Sequence, residues 1–170
     1  MVIKIIIEHF IKTPEISAGS KTNLVPILPA KISAIYLYPI KSCGALKVTK
    51  GSWPLSETCL KFDRQFVIMQ GRSTLTQRRE PLLCQICPKI DLKTKIMTLS
   101  VPWVDAKCEL NLATIEGTET LGQICSGKVC GDQIEGLDCG DLVSEWLEQV
   151  LGLTGNTFKV KIHGNFGFKS

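Results

Sequence analysis

Apolar positions come mostly in short runs, each stopped by Gly, Pro or Ser. ISAIYLYPI (32–40) alternates apolar with polar and is rich in Ile and Tyr, which predicts a strand. Pro39 should end that strand or keep it at a sheet edge. SCGA follows as a turn, and ALKVTK (45–50) reads as a second strand. DRQFVIMQ (63–70) is a third, with Arg64 at its opening; Gly71 turns the chain, and STLTQ (73–77) returns as a hairpin. LLCQICPKIDL (82–92), KIMTLSV (95–101), CELNLAT (108–114), QICSGKVCG (123–131) and TFKVKI (157–162) carry further strand signals. This density of short strands predicts a mainly β fold, a small antiparallel β-barrel or a sandwich.

The period changes once. Leu142, Val143, Trp146, Leu147, Val150 and Leu151 recur at helical spacing, with Ser144, Glu145, Glu148 and Gln149 on the other face. Asp141 is placed to cap this C-terminal amphipathic helix and Gly152 to stop it. Asp138 and Asp141 suit the positive end of its dipole. Ahead of the strands, residues 1–30 open apolar, break at Glu8 and His9, and become polar and Pro-containing. They read as a linker or disordered lead-in, residues 31–162 as the compact domain, and 163–170 as an irregular tail.

Length and composition narrow the class. The chain has 170 residues, 44% of them hydrophobic and 21% charged, which is one globular domain and excludes disorder along its whole length. No apolar run approaches the ~20 residues that span a bilayer, so no membrane association is expected. Eight cysteines without a recognisable signal peptide suggest reduced thiols and a cytoplasmic protein. Cys84 with Cys87 and Cys125 with Cys130 have ligand-like spacing, but the first pair has no turn residue between its members. Buried free thiols behaving as small hydrophobes are the simpler expectation, and no metal site is predicted.

The net charge of +4 is too small to argue for nucleic acid, but its distribution is uneven. Between Lys31 and Arg79 stand nine Lys/Arg against two acids, whereas Val129–Phe158 holds six acids and no Lys or Arg. No Walker loop, G-x-S-x-G, H-E-x-x-H or dinucleotide fingerprint is present. His9 and His163 both lie in the poorly patterned ends, which disfavours a His-centred mechanism in the compact region. What remains is an anion site. Lys41 and Ser42 follow a strand and a Pro, Arg64 opens another strand, and Arg78 with Arg79 follows a third. A compact ammonium, a hydroxyl and a guanidinium fork suit a phosphate. For Arg64 a salt bridge to Asp63 or Glu80 is an equal alternative, and for Ser42 a turn hydrogen bond is the plainer one.

IYLYPIKSCGA, SWPLSETCLKFDRQF, LTQRREPLLCQICPKIDL and VCGDQIEGLDCGDLVSEWLEQVLGL occur in the order and spacing of one family. Over residues 31–160 the chain resembles the N-terminal β-barrel of the MOSC region at the C-terminal end of eukaryotic molybdenum cofactor sulfurases. It is similar, more distantly, to the mitochondrial amidoxime-reducing component. The resemblance implies a role with the molybdenum cofactor (molybdopterin): Lys41, Ser42 and Arg64 would hold its phosphate end, and Thr76 and Arg78 would line the same rim. It implies a cysteine-desulfurase partner domain carrying pyridoxal phosphate, for which no lysine here can be assigned, and client enzymes such as xanthine dehydrogenase and aldehyde oxidase.

No catalytic residue is inherited, since the family's cofactor-facing cysteine lies in the main MOSC fold, which nothing after about residue 160 resembles. Cys43 and Cys139 match positions read as structural. Family members usually have Gly at Cys59, Tyr at Phe62 and Trp at Phe66, exchanges a barrel tolerates. The expectation is a fragment or truncated product of a sulfurase, inactive alone. The alternatives are a piece of an amidoxime-reductase-like enzyme, or a non-catalytic interaction module whose contact surface would be the acidic segment 132–150.

Overall fold

A computed structural model describes residues 4–7, 32–49, 51, 53–56, 59–116, 124–129, 132–152 and 158–162. Their strands are β1 (Lys4–Ile7), β2 (Ile32–Leu37), β3 (Leu46–Val48), β4 (Phe66–Gln70), β5 (Ser73–Thr74), β6 (Cys87–Asp91), β7 (Ile96–Val101), β8 (Val104–Asn111), β9 (Ile124–Val129), β10 (Asp132–Leu137) and β11 (Phe158–Ile162). Two α-helices join them, a short α1 (Leu112–Glu116) and the longer α2 (Asp141–Leu151). The fold is mainly β. Hydrogen bonding groups these strands into three sheets, ordered β1-β2-β3, β10-β9-β5-β4-β11 and β6-β7-β8. Pairing is antiparallel except between β5 and β9.

The segment 1–30 contributes β1, which lies antiparallel to β2. The strand β2 ends at Leu37, ahead of Pro39, and is the middle strand of its sheet. Just beyond it Ile40 forms an isolated parallel bridge with Phe66, the first residue of β4, so the first sheet is tied to the second at this point. In β4, Phe66, Val67, Ile68 and Met69 are all buried. Successive strand residues face opposite sides, so this run is covered on both. Phe66 and Ile68 belong to the main core, while Val67 and Met69 form a small cluster of their own.

The β6-β7-β8 meander shows the pleat plainly. Met97, Leu99 and Val101 point into the core, as do Cys108 and Leu110 of β8. Helix α2 lies against β8 and β11. Two indoles fasten it: Trp146 Nε1 donates to the Ala106 carbonyl at 2.9 Å, and Trp103 Nε1 donates to the Val150 carbonyl at 3.2 Å.

Several sequence expectations are corrected. LLCQICPKIDL is not one strand: Pro81–Gln85 is a 3-10 turn, and β6 starts only at Cys87. Pro81 presets the φ of the first turn position, and the Glu80 carboxylate accepts from Leu82 N at 3.1 Å. This turn leaves Cys84 and Cys87 exposed rather than buried. The strand through CELNLAT stops at Asn111, whose Oδ1 accepts from Ala113 N and Thr114 N and thereby caps α1.

The third strand starts at Phe66, because Lys61–Arg64 form a turn. In α2, Asp141 is the first helical residue and Gly140, at φ 102°, holds the cap position. Leu142 is 79% exposed and Ser144 is buried, so the buried stripe is rotated from the one the sequence suggests. Gly152 closes the helix in the left-handed conformation, as expected. The expected strands at 124–129 and 158–162 are present. Cys130, His9, His163 and the tail 163–170 lie outside the described residues.

Candidate anion-binding site

The seam where β2 runs out and β4 begins brings two distant turns together. Tyr38 N donates to Asp63 Oδ1 at 2.8 Å, and Arg64 N donates to the Tyr38 carbonyl at 2.7 Å. Phe66 N donates to the Pro39 carbonyl at 3.0 Å, and Lys41 N donates to the Phe66 carbonyl at 2.8 Å. Four hydrogen bonds thus stitch residues 38–41 to residues 63–66. The Asp63 carboxylate supplies the one side-chain member of the set, accepting from the Tyr38 amide.

The turn before Arg64 is itself fixed. Asp63 N bonds to the Leu60 carbonyl, Trp53 Nε1 to the Lys61 carbonyl and Lys61 N to the Pro54 carbonyl. The Lys61 ammonium stands 5.2 Å from the centre of the Phe62 ring, a cation–π distance.

Two of the sequence-nominated residues have unusual backbones. Ser42 has φ 71° and Arg64 has φ 54°, both left-handed, with neighbouring Phe62 at φ 70°. Non-glycine residues adopt this region at a cost of about 1–3 kcal/mol and keep it only where surrounding bonds over-determine it, commonly at binding sites. Here the stitching does so.

A third segment joins from the other side. Arg79 N and Glu80 N both donate to the Thr76 carbonyl at 2.9 Å, closing a tight turn that carries Arg78. From this turn Gln77 Nε2 donates to the Ser42 carbonyl at 2.9 Å. Further along, Gly44 N donates to the Ile86 carbonyl at 2.8 Å. A Cβ on Gly44 would stand 2.9 Å from that same oxygen, so the approach of the two backbones requires glycine.

The structure therefore brings the backbones of Lys41, Ser42 and Arg64 to one seam, with the Thr76–Arg78 turn attached through Ser42. Arg64 and Arg78 are exposed, and Lys41, Ser42 and Thr76 are half-buried. Sequence reasoning weighed Asp63 only as an ion-pair partner and missed its grip on Tyr38. It also missed Gln77 and Gly44, which no hydrophobic period marks.

The buried thiols are not suited to nucleophilic chemistry. Burial pushes the Cys43 thiol far up, with Cys84 and Cys87 adding to the effect. Burial likewise raises Cys139 to about 12, helped by Asp138 and Cys108, and raises Cys108. Such thiols stay protonated and are poor nucleophiles. Among the described residues no three His, Cys, Asp or Glu side chains gather as a metal site. No described helix is long and apolar enough to cross a membrane.

Comparison with known proteins identifies the family. Residues 29–154 match the family described as the MOSC N-terminal beta barrel domain. The chain is 44% identical over 126 residues to molybdenum cofactor sulfurase 3 of Aedes aegypti, covering 74% of this chain and 16% of that protein. It is 33% identical to the molybdenum cofactor sulfurase of Bombyx mori, over 87% of this chain and 20% of that protein. To the Bos taurus molybdenum cofactor sulfurase it is 37% identical, over 71% of this chain and 13% of that protein. The chain thus spans a fifth or less of the length of these relatives. A solution structure of a Bordetella bronchiseptica protein shares the fold at TM-score 0.54 and 17% identity, covering 75% of this chain and 88% of that one. The chain belongs to the MOSC N-terminal beta barrel domain family, and its curated relatives are molybdenum cofactor sulfurases.

Proposed function

We propose that this domain, residues 31–162, grips the phosphate end of the molybdenum cofactor in a sulfurase C-terminal region. The observation that carries the reading is the stitching of the Lys41–Ser42 turn to the Arg64 turn, with Ser42 and Arg64 both held left-handed. The residues suit the group. Lys41 contributes a point charge, Ser42 a hydroxyl donor and Arg64 a planar fork that can meet two phosphate oxygens at once. Thr76 and Arg78, tied to Ser42 through Gln77, add a hydroxyl and a second guanidinium at the rim.

The bound cofactor would supply the molybdenum centre that takes up sulfur. The domain's own part is to bind and orient, and it breaks no bond. The sulfur would come from a cysteine-desulfurase domain carrying pyridoxal phosphate, and the finished cofactor would serve xanthine dehydrogenase and aldehyde oxidase. The names of the curated relatives support this assignment. Cys43, Cys59, Cys84, Cys87, Cys108 and Cys139 are free thiols, a state that the reducing cytoplasm would keep.

Calorimetric titration with inorganic phosphate and with a phosphate-bearing pterin tests the reading. The wild type is expected to bind both, with affinity falling as salt rises. Binding of the pterin that ignores its phosphate, or no phosphate binding at all, would refute it.

A further inference from the structure

We propose that Gln77 is a positioning residue of the anion site. Its side-chain amide holds the Ser42 turn against the turn that carries Arg78, so that both turns address one phosphate. The inference rests on the phosphate-site reading above and adds to it a residue that touches neither ligand nor charge.

The geometry is specific. Gln77 Nε2 donates to the Ser42 carbonyl at 2.9 Å across 35 residues of sequence. Ser42 is left-handed at φ 71°, a conformation that must be held from outside. Its neighbours are held by backbone bonds: Lys41 N to Phe66, Cys43 N to Ile40 and Gly44 N to Ile86. The Gln77 amide acts on the Ser42 carbonyl itself. On the other side, Gln77 sits inside the turn closed by Thr76, Arg79 and Glu80, so it has a rigid base. Gly44 and Ile86 join the same two stretches a second time, further from Arg78. The Gln77 bond is thus a side-chain link from the Ser42 turn to the turn that carries Arg78. Chemistry favours an amide here: glutamine donates to the carbonyl without charge, whereas a carboxylate could not donate and would repel an anion.

The test is a double-mutant cycle read by titration of the full chain with inorganic phosphate. Gln77→Met removes the donor at nearly constant length and should weaken phosphate binding about threefold, and Gln77→Glu more. In an Arg78→Gln background Gln77→Met should cost less than in the wild type, because one of the two turns it brings together no longer carries its charge. The amide resonance of Cys43, next to the Ser42 carbonyl, should shift in Gln77→Met. Equal losses in both backgrounds, or no loss at all, would overturn the positioning role while leaving the site standing. A wild type that fails to bind phosphate, or binds it as well after Arg64→Ala, would overturn the site and this role together. If Gln77→Met does not fold, Gln77→Asn, which draws the donor back by one methylene, makes the same measurement.

Discussion

Tyr38 is bonded to Asp63 across 25 residues of chain, its amide donating to the Asp63 carboxylate at 2.8 Å, while its carbonyl accepts from the amide of the next residue, Arg64, at 2.7 Å. The end of β2 is thereby locked to the start of β4. Arg64, which makes the second of these bonds, has a left-handed backbone at φ 54°.

Loss of the lock should be measurable as stability. Asp63→Ala leaves the Tyr38 amide half-buried without its acceptor, and should cost about 1–3 kcal/mol in urea unfolding. Asp63→Asn keeps an acceptor oxygen and should cost less than about 1 kcal/mol. Equal losses in the two variants would mean that charge, not the bond, is what matters.

Gly44 provides a second test. Its missing Cβ leaves room for the Ile86 carbonyl, which a methyl would meet at 2.9 Å. Gly44→Ala should force the two backbones apart and lower stability by about 1–3 kcal/mol. An unchanged unfolding midpoint would show that the segment relaxes freely.

The cysteines should separate by reactivity. Iodoacetamide at pH 8 should label exposed Cys84 and Cys87 in the native protein, while buried Cys43 reacts only on unfolding, as read by peptide mass mapping. Stability should also decline at high pH. Folded Cys139 keeps its proton to about 12, while in the unfolded chain the thiol ionises from its ordinary value of 9.0. Its contribution is whole below pH 9 and is lost as pH rises toward 12, at about 1.4 kcal/mol per pH unit. Cys139→Ala should show a shallower decline over that range than the wild type.

Trp146 couples the helix to the meander. Trp146→Phe keeps the apolar ring and deletes the bond to the Ala106 carbonyl, and should cost about 1–2 kcal/mol. The same midpoint in both proteins would mean that burial alone holds α2.

Much of the fold was legible because it depends on periodicity. The β7 residues Met97, Leu99 and Val101 alternate as written, and α2 occupies the residues its spacing marked. What escaped was set by single residues at the ends of elements. Glu80 and Pro81 turned an apolar run into a 3-10 turn, Asn111 cut a strand short, and Gly140 took the cap from Asp141. Leu142 fits the apolar stripe by spacing yet is exposed, while Val143 and Ser144 beside it are buried.

The candidate site divides in the same way. Lys41, Ser42 and Arg64 could be nominated by residue type and by resemblance. That Asp63 would bind Tyr38, or Gln77 the Ser42 carbonyl, depends on contacts across 25 and 35 residues that no local pattern encodes.

The central claim is that the Lys41–Ser42 and Arg64 turns form one mouth for a phosphate. Titration of the wild type and Arg64→Ala with inorganic phosphate, at low and high salt, tests it most directly. Arg64 is exposed. Its loss should therefore weaken binding about fivefold to tenfold at low salt and less at high salt. Equal affinity of the two proteins at low salt would contradict it.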